Sequence, residues 1–155
     1  MSVKQSGPRI VGLAIVLAGL GCGSTISPSE DQLRAAEQRW ADTGPASYSM
    51  VITRSSLVGT SFAAKVTVAN GLVTDRTFLD PDGNPTVPVP ASQVADYPDV
   101  PGLFTLVRRA FDEAQSANVS FDATYGFPNS IVINYDRVTI EDDITIAVTQ
   151  FAPAT

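Results

Sequence analysis

The chain has no histidine, one cysteine, one tryptophan and two methionines among its 155 residues. Lack of histidine removes the commonest general base and the commonest zinc ligand, and it excludes Ser/His/Asp catalysis. With Cys22 alone, neither an intramolecular disulfide nor a buried catalytic thiol can form. Basic residues are sparse, 10 Lys and Arg against 16 Asp and Glu. Every acidic residue follows position 22, while Lys4 and Arg9 precede it. A chain beginning at Cys22 therefore carries 8 basic and 16 acidic groups, a net charge of −8. That sign disfavours nucleic acid, whose affinity for proteins comes mainly from Lys and Arg neutralising phosphates. No glycine-rich phosphate loop is present, and nothing in the sequence asks for a cofactor.

A hydrophobic fraction of 44% with 17% charged residues describes one globular domain plus whatever the N-terminus carries. Lys4 and Arg9 lead into an uncharged apolar run, residues 10–21. Twelve residues are too few to cross roughly 30 Å of hydrocarbon as a helix. A basic start, a short apolar run and small residues at its end predict a secretory signal peptide over residues 1–21. Cys22 then falls where a bacterial lipoprotein is cleaved and acylated, although Gly19 stands where such motifs usually place Leu. Lipidation of Cys22 accounts for an unpaired exported thiol and predicts a membrane anchor, each buried CH₂ adding ~0.8 kcal/mol. Residues 22–27 read as a tether and residues 28–155 as the folded domain.

Within that domain, Ser27-Pro28-Ser29-Glu30 predicts a capped helix start. Leu33, Ala36 and Trp40 follow on one helical face, and Asp42-Thr43-Gly44-Pro45 ends the helix. Tyr48, Met50 and Ile52 alternate with polar residues as a first strand. Residues 64–69 and 72–78 flank Asn70-Gly71, the dipeptide favoured in type I′ hairpin turns. Six of the eleven prolines lie between Pro81 and Pro101. Pro88 and Pro90 deny donors to any central strand, so this segment is a long loop or a sheet edge, and a candidate surface. A second helix is predicted over residues 103–114, capped by Asp99, with Leu103, Val107, Ala110, Phe111 and Ala114 buried and Phe104 near the edge of that stripe. Residues 121–135 form two strands around the stiff loop Tyr125-Gly126-Phe127-Pro128-Asn129. Residues 144–151 alternate as a last strand. The order α-βββ-α-βββ predicts an α+β fold, a single antiparallel sheet of about six strands with two helices on one face.

The Trp40 to Tyr48 spacing, the Val68-Ala69-Asn70-Gly71 turn, Leu103-Phe104, the Tyr125-Gly126-Phe127-Pro128 loop and the late pair Asp142-Asp143 resemble a bacterial family of unknown function, DUF6174. The resemblance runs from about Trp40 to Phe151. Members often have Tyr-Asp where this chain has Phe121-Asp122, an acidic residue where Ile144 stands, and two cysteines after the first strand that are absent here. The resemblance implies export and lipidation, and it brings no substrate or catalytic residues.

Three places could carry function. Tyr125, Phe127 and Asn129 form a candidate binding surface, weighed against rings that fold back to pin the hairpin. Asp122, Asp136, Asp142 and Asp143, with Glu141, could gather carboxylates for a cation or for acid–base hydrolysis. The bland account of these is a solvated turn whose carboxylates bond to backbone. Asp80-Pro-Asp-Gly-Asn-Pro85 alternates oxygens like a calcium loop, but Gly83 and Pro85 sit at the wrong positions, so a β-turn is expected. Together these features favour a non-enzymatic binding module of the cell envelope, holding a protein or a small ligand. A carboxylate-dependent cation-binding or hydrolytic protein using Asp122, Asp136 and Asp143 is the alternative.

Overall fold

The computed structural model describes residues 30–56, 61–135 and 143–154. The expected signal segment, Cys22, its tether, the Ser27-Pro28 cap, Asp136, Glu141 and Asp142 lie outside these residues. Helix α1 (Glu30–Thr43) leads into β1 (Tyr48–Ser56), β2 (Ser61–Ala69), β3 (Leu72–Leu79) and β4 (Pro85–Pro88). A 3-10 helix (Ala91–Asp96) and α2 (Val100–Glu113) follow, then β5 (Ser116–Phe121), β6 (Pro128–Asn134) and β7 (Ile144–Pro153). The strands form one antiparallel sheet in the order β4-β3-β2-β1-β7-β6-β5. Among the described residues no helix is long and apolar enough to cross a membrane.

Seven strands replace the expected six because the proline-rich segment supplies β4. Pro85 and Pro88 oppose Leu79 and Thr77 at the sheet's margin, where a missing N–H can face solvent at no cost to the ladder. The turn before it follows from Asp80, whose carboxylate accepts from the backbone N–H of Asp82 and Asn84 at 3.0 and 2.8 Å. These bonds hold the Asp80 carboxyl below its ordinary value. At the β2–β3 turn, Asn70 and Gly71 have φ of 50° and 76°, the left-handed pair that a type I′ turn requires.

Strand alternation puts Tyr48, Met50 and Ile52 on the same face as Val66, Val68, Ile131, Ile133, Ile146 and Val148, and all are buried. Leu33 and Ala36 of α1, and Val100, Leu103, Val107 and Ala110 of α2, cover that face. Each such Val, Leu or Ile contributes about 1.5–3 kcal/mol on leaving water. Phe104 is buried as well, deeper than the helical pattern placed it, because α2 begins at Val100, which is buried four residues before Phe104 and widens the apolar stripe on that side. Pro101 is accommodated in that first turn, where no intrahelical donor is needed. The Asp99 side chain caps it, accepting from Gly102 N–H at 2.9 Å. An Arg108–Glu37 ion pair at 2.5 Å ties the two helices together.

The Tyr125–Asn129 loop closes the end of this core. Gly126 has φ of 83° and lies so close to α1 that a Cβ there would sit 2.5 Å from the Ala36 carbonyl oxygen. Phe127 stacks on Phe151 with ring centroids 4.5 Å apart, and both meet Trp40 edge-on. Tyr48 stacks on Phe151 and its buried hydroxyl accepts from Val100 N–H at 3.0 Å, fixing where α2 starts. Loss of solvation pushes the Tyr48 phenol up to about 12.

Candidate functional site

Phe127 is a core residue, not a surface one, at 4% exposure. Its ring is drawn inward because Gly126 lets the loop touch α1, and the aromatic pair with Phe151 then seals the gap. Tyr125 is half-buried against the same Phe151, and Asn129 accepts from the Ser120 hydroxyl at 2.7 Å. This trio pins a hairpin, with Tyr125 and Asn129 partly open to solvent.

The acidic residues that can be placed do not meet. Asp122 adjoins the Phe127 end of β6, where its carboxylate accepts from Thr124 and Tyr125 N–H at 3.0 and 2.6 Å. Asp143 precedes Ile144, which pairs with Ile133 at the other end of β6. The strand between them spans about 20 Å. Asp122 is therefore a backbone cap for the loop. Among the described residues no three Asp, Glu, Cys or His side chains gather as metal ligands.

A cleft of about 620 Å³ opens instead at the far end of the β1–β4 half, on the helix side. Pairing of Arg54 with Phe62 and of Ala64 with Phe78 sets both phenylalanines on that side. The 3-10 helix folds over them, so that Phe78 meets Tyr97 edge-on at 5.4 Å and Phe62 at 6.3 Å. Arg76 anchors this cover twice. Its backbone oxygen accepts from Val89 N–H at 2.9 Å, and its side chain donates to the Tyr97 carbonyl at 2.7 Å. Val87 of β4, Leu79 and Pro90 complete the apolar lining, with Thr86 and Gln93 as uncharged polar groups.

Arg54 and Asp96 form an ion pair in the wall of this cleft. The same pair borders a second recess of about 230 Å³ lined by Leu106, Arg109, Tyr135 and Ile144. Both partners are partly exposed, so the bridge adds about 0–1 kcal/mol to stability and fixes geometry more than it holds the fold. Burial pushes the Tyr97 phenol above its ordinary value, with the Arg54 charge opposing. The cleft thus joins aromatic faces to one neutralised charge pair, and among the described residues Asp96 is the one carboxylate in its lining. Phe62 and Val87 remain 56% and 59% exposed, which leaves part of the cleft's apolar lining uncovered. The opposite face of the sheet is mixed, for the described strands present Ser49, Thr53, Lys65, Thr67, Thr145 and Thr149 there beside Val51, Ala63, Val132 and Ala147.

Sequence reasoning marked the proline-rich segment as a surface but missed Phe62, Phe78 and Arg54. Hairpin spacing alone carries no signal for the pair: an unbulged Asn70-Gly71 hairpin would set Phe78 opposite Ala63, on the other face from Phe62, and the register shift at Thr67/Val68 brings both rings to one face.

These features define an α+β protein with an open antiparallel sheet, helices on one side and a ligand-sized apolar cleft beside the edge strand. The chain belongs to the DUF6174 family, a family of unknown function, whose model matches residues 32–153. No curated protein matches the chain.

Proposed function

We propose that this is a non-enzymatic binding module, exported and held at the bacterial envelope by lipid on Cys22. Its cleft takes the apolar part of a small ligand or of a partner protein. The single observation carrying this reading is the Phe62–Phe78–Tyr97 cleft, whose volume of about 620 Å³ falls in the range of small-molecule sites. The half-exposed Phe62 and Val87 support it, since both line the same cleft and leave apolar surface there open to a ligand. Arg54, already neutralised by Asp96, supplies a hydrogen-bonding end to an otherwise greasy site without leaving a bare charge. The basic N-terminus, the short apolar run and Cys22 support the address.

Titration with 1-anilinonaphthalene-8-sulfonate tests the cleft. The dye's fluorescence should rise on binding, and Val87→Lys or Phe62→Ser should weaken binding at least tenfold while the melting temperature stays within about 2 °C. Unchanged dye binding in both variants would remove the cleft as a site. Radiolabelled palmitate incorporated by the wild-type chain but not by Cys22→Ser tests the anchor separately.

A further inference from the structure

The sheet ends differently on its two sides. β4 is blunted by Pro85 and Pro88. β5, Ser116-Ala-Asn-Val-Ser-Phe121, has neither a proline nor a charge, and among the described residues it pairs only with β6. Folded proteins protect an exposed edge with short strands, prolines, bulges or charges, because its free N–H and C=O groups otherwise recruit another strand.

The direction of those free groups follows from the loop. Asp122 N–H donates to the Phe127 carbonyl, and Asp122 C=O accepts from Gly126 N–H, so both point toward β6. In an extended strand successive residues alternate, so Phe121, Val119 and Ala117 point their backbone groups outward. The extra residue where the register shifts is Asn129, on β6, which leaves the alternation along β5 intact. Opposite Phe121 stands Pro128, which has no N–H to give. The same three residues turn their side chains to the helix side, Ala117 buried and Val119 and Phe121 partly so.

From this register we infer that β5 pairs antiparallel with β5 of a second copy of the chain, about a two-fold axis through Val119. Val119 then faces its own counterpart, and Ala117 faces Phe121 of the second copy. Each of these pairs exchanges an N–H and a C=O, so every outward group of β5 is satisfied. A two-fold centred on Asn118 would pair Ala117 with Val119 and leave Phe121 unmatched. The pairing also sets Ala117 and Val119 against apolar neighbours on the helix side, and no like charges oppose each other along the strand. It closes at two copies, because the remaining edges are the proline-blunted β4 strands. A second copy is favoured over an unrelated strand because the edge is complementary to itself in spacing, side-chain face and charge.

Sedimentation equilibrium of the purified chain should show a dimer whose fraction rises with concentration. The double variant Asn118→Lys/Ser120→Lys places lysines across from each other, and it should be monomeric with its circular dichroism spectrum unchanged. Register is read by cysteine cross-linking in a Cys22→Ser background. Hydrogen-bonded antiparallel partners lie about 5.5 Å apart at Cα, inside the disulfide range of about 4.4–6.8 Å. Val119→Cys should therefore oxidise to a covalent dimer, whereas Asn118→Cys, displaced along the strand from its counterpart, should not. A chain that stays monomeric up to its solubility limit would overturn the inference. So would cross-linking at 118 in place of 119, or a Val119→Cys thiol that captures a different protein while the chain remains monomeric.

Discussion

Gly126→Ala measures how tightly the Tyr125–Asn129 loop is locked to α1. Gly126 has φ of 83°, and an added Cβ would lie 2.5 Å from the Ala36 carbonyl oxygen and 3.0 Å from Arg39 Cβ. Two costs follow. Holding an L side chain in the left-handed region takes about 1–2 kcal/mol. Forcing the loop away from the α1 backbone takes about 1–3 kcal/mol more, as overpacking usually does. Gly71→Ala is the control, because its φ is 76° and nothing lies within 4 Å of a new Cβ, so only the first cost applies. Urea denaturation followed by circular dichroism should give losses of about 2–5 kcal/mol for Gly126→Ala and about 1–2 kcal/mol for Gly71→Ala. At about 3–5 °C per kcal/mol for a domain of this size, the two melting points should separate by several degrees. Equal losses in the two variants would refute the argument, since the loop would then not be held against α1.

Further outcomes follow from the same core. The Tyr48 phenol, ordinarily at 10.0, stands at about 12 in the folded chain, so the native state holds its proton more tightly than the unfolded state does. Its contribution, about 2–3 kcal/mol, should be complete below pH 10 and vanish as pH rises from 10 to 12. Melting across that window, with and without Tyr48→Phe, checks the sign. Tyr48→Phe itself should cost about 1–3 kcal/mol at pH 7, because Val100 N–H loses its buried acceptor. Asp122→Ala should cost about 1–2 kcal/mol and Asp122→Asn distinctly less, as for other side-chain caps of backbone N–H groups. Equal costs in the two Asp122 variants would contradict the cap.

Much of the fold was legible because its signals are local. Alternation at Tyr48, Met50 and Ile52, the Asn70-Gly71 turn and the Asp99 cap each depend on neighbours within a few residues, and each appears where the pattern puts it. The candidate site was not legible in the same way. Phe62 and Phe78 are 16 positions apart, Arg54 and Asp96 are 42, and only strand register brings them to one cleft. Asp122 and Asp143, 21 positions apart, could have met at one end of the sheet, yet β6 separates them along its length.

By itself the sequence determined the class of fold, the single turn types and the lack of histidine and disulfide chemistry, since composition and short-range periodicity act before any tertiary contact forms. Tertiary structure alone decided that the Phe127 ring faces inward, that the acidic side chains at 122 and 143 stay apart, and that the proline-rich strand borders a cleft. Those outcomes depend on which distant surfaces exclude water together, and a linear pattern holds no record of that.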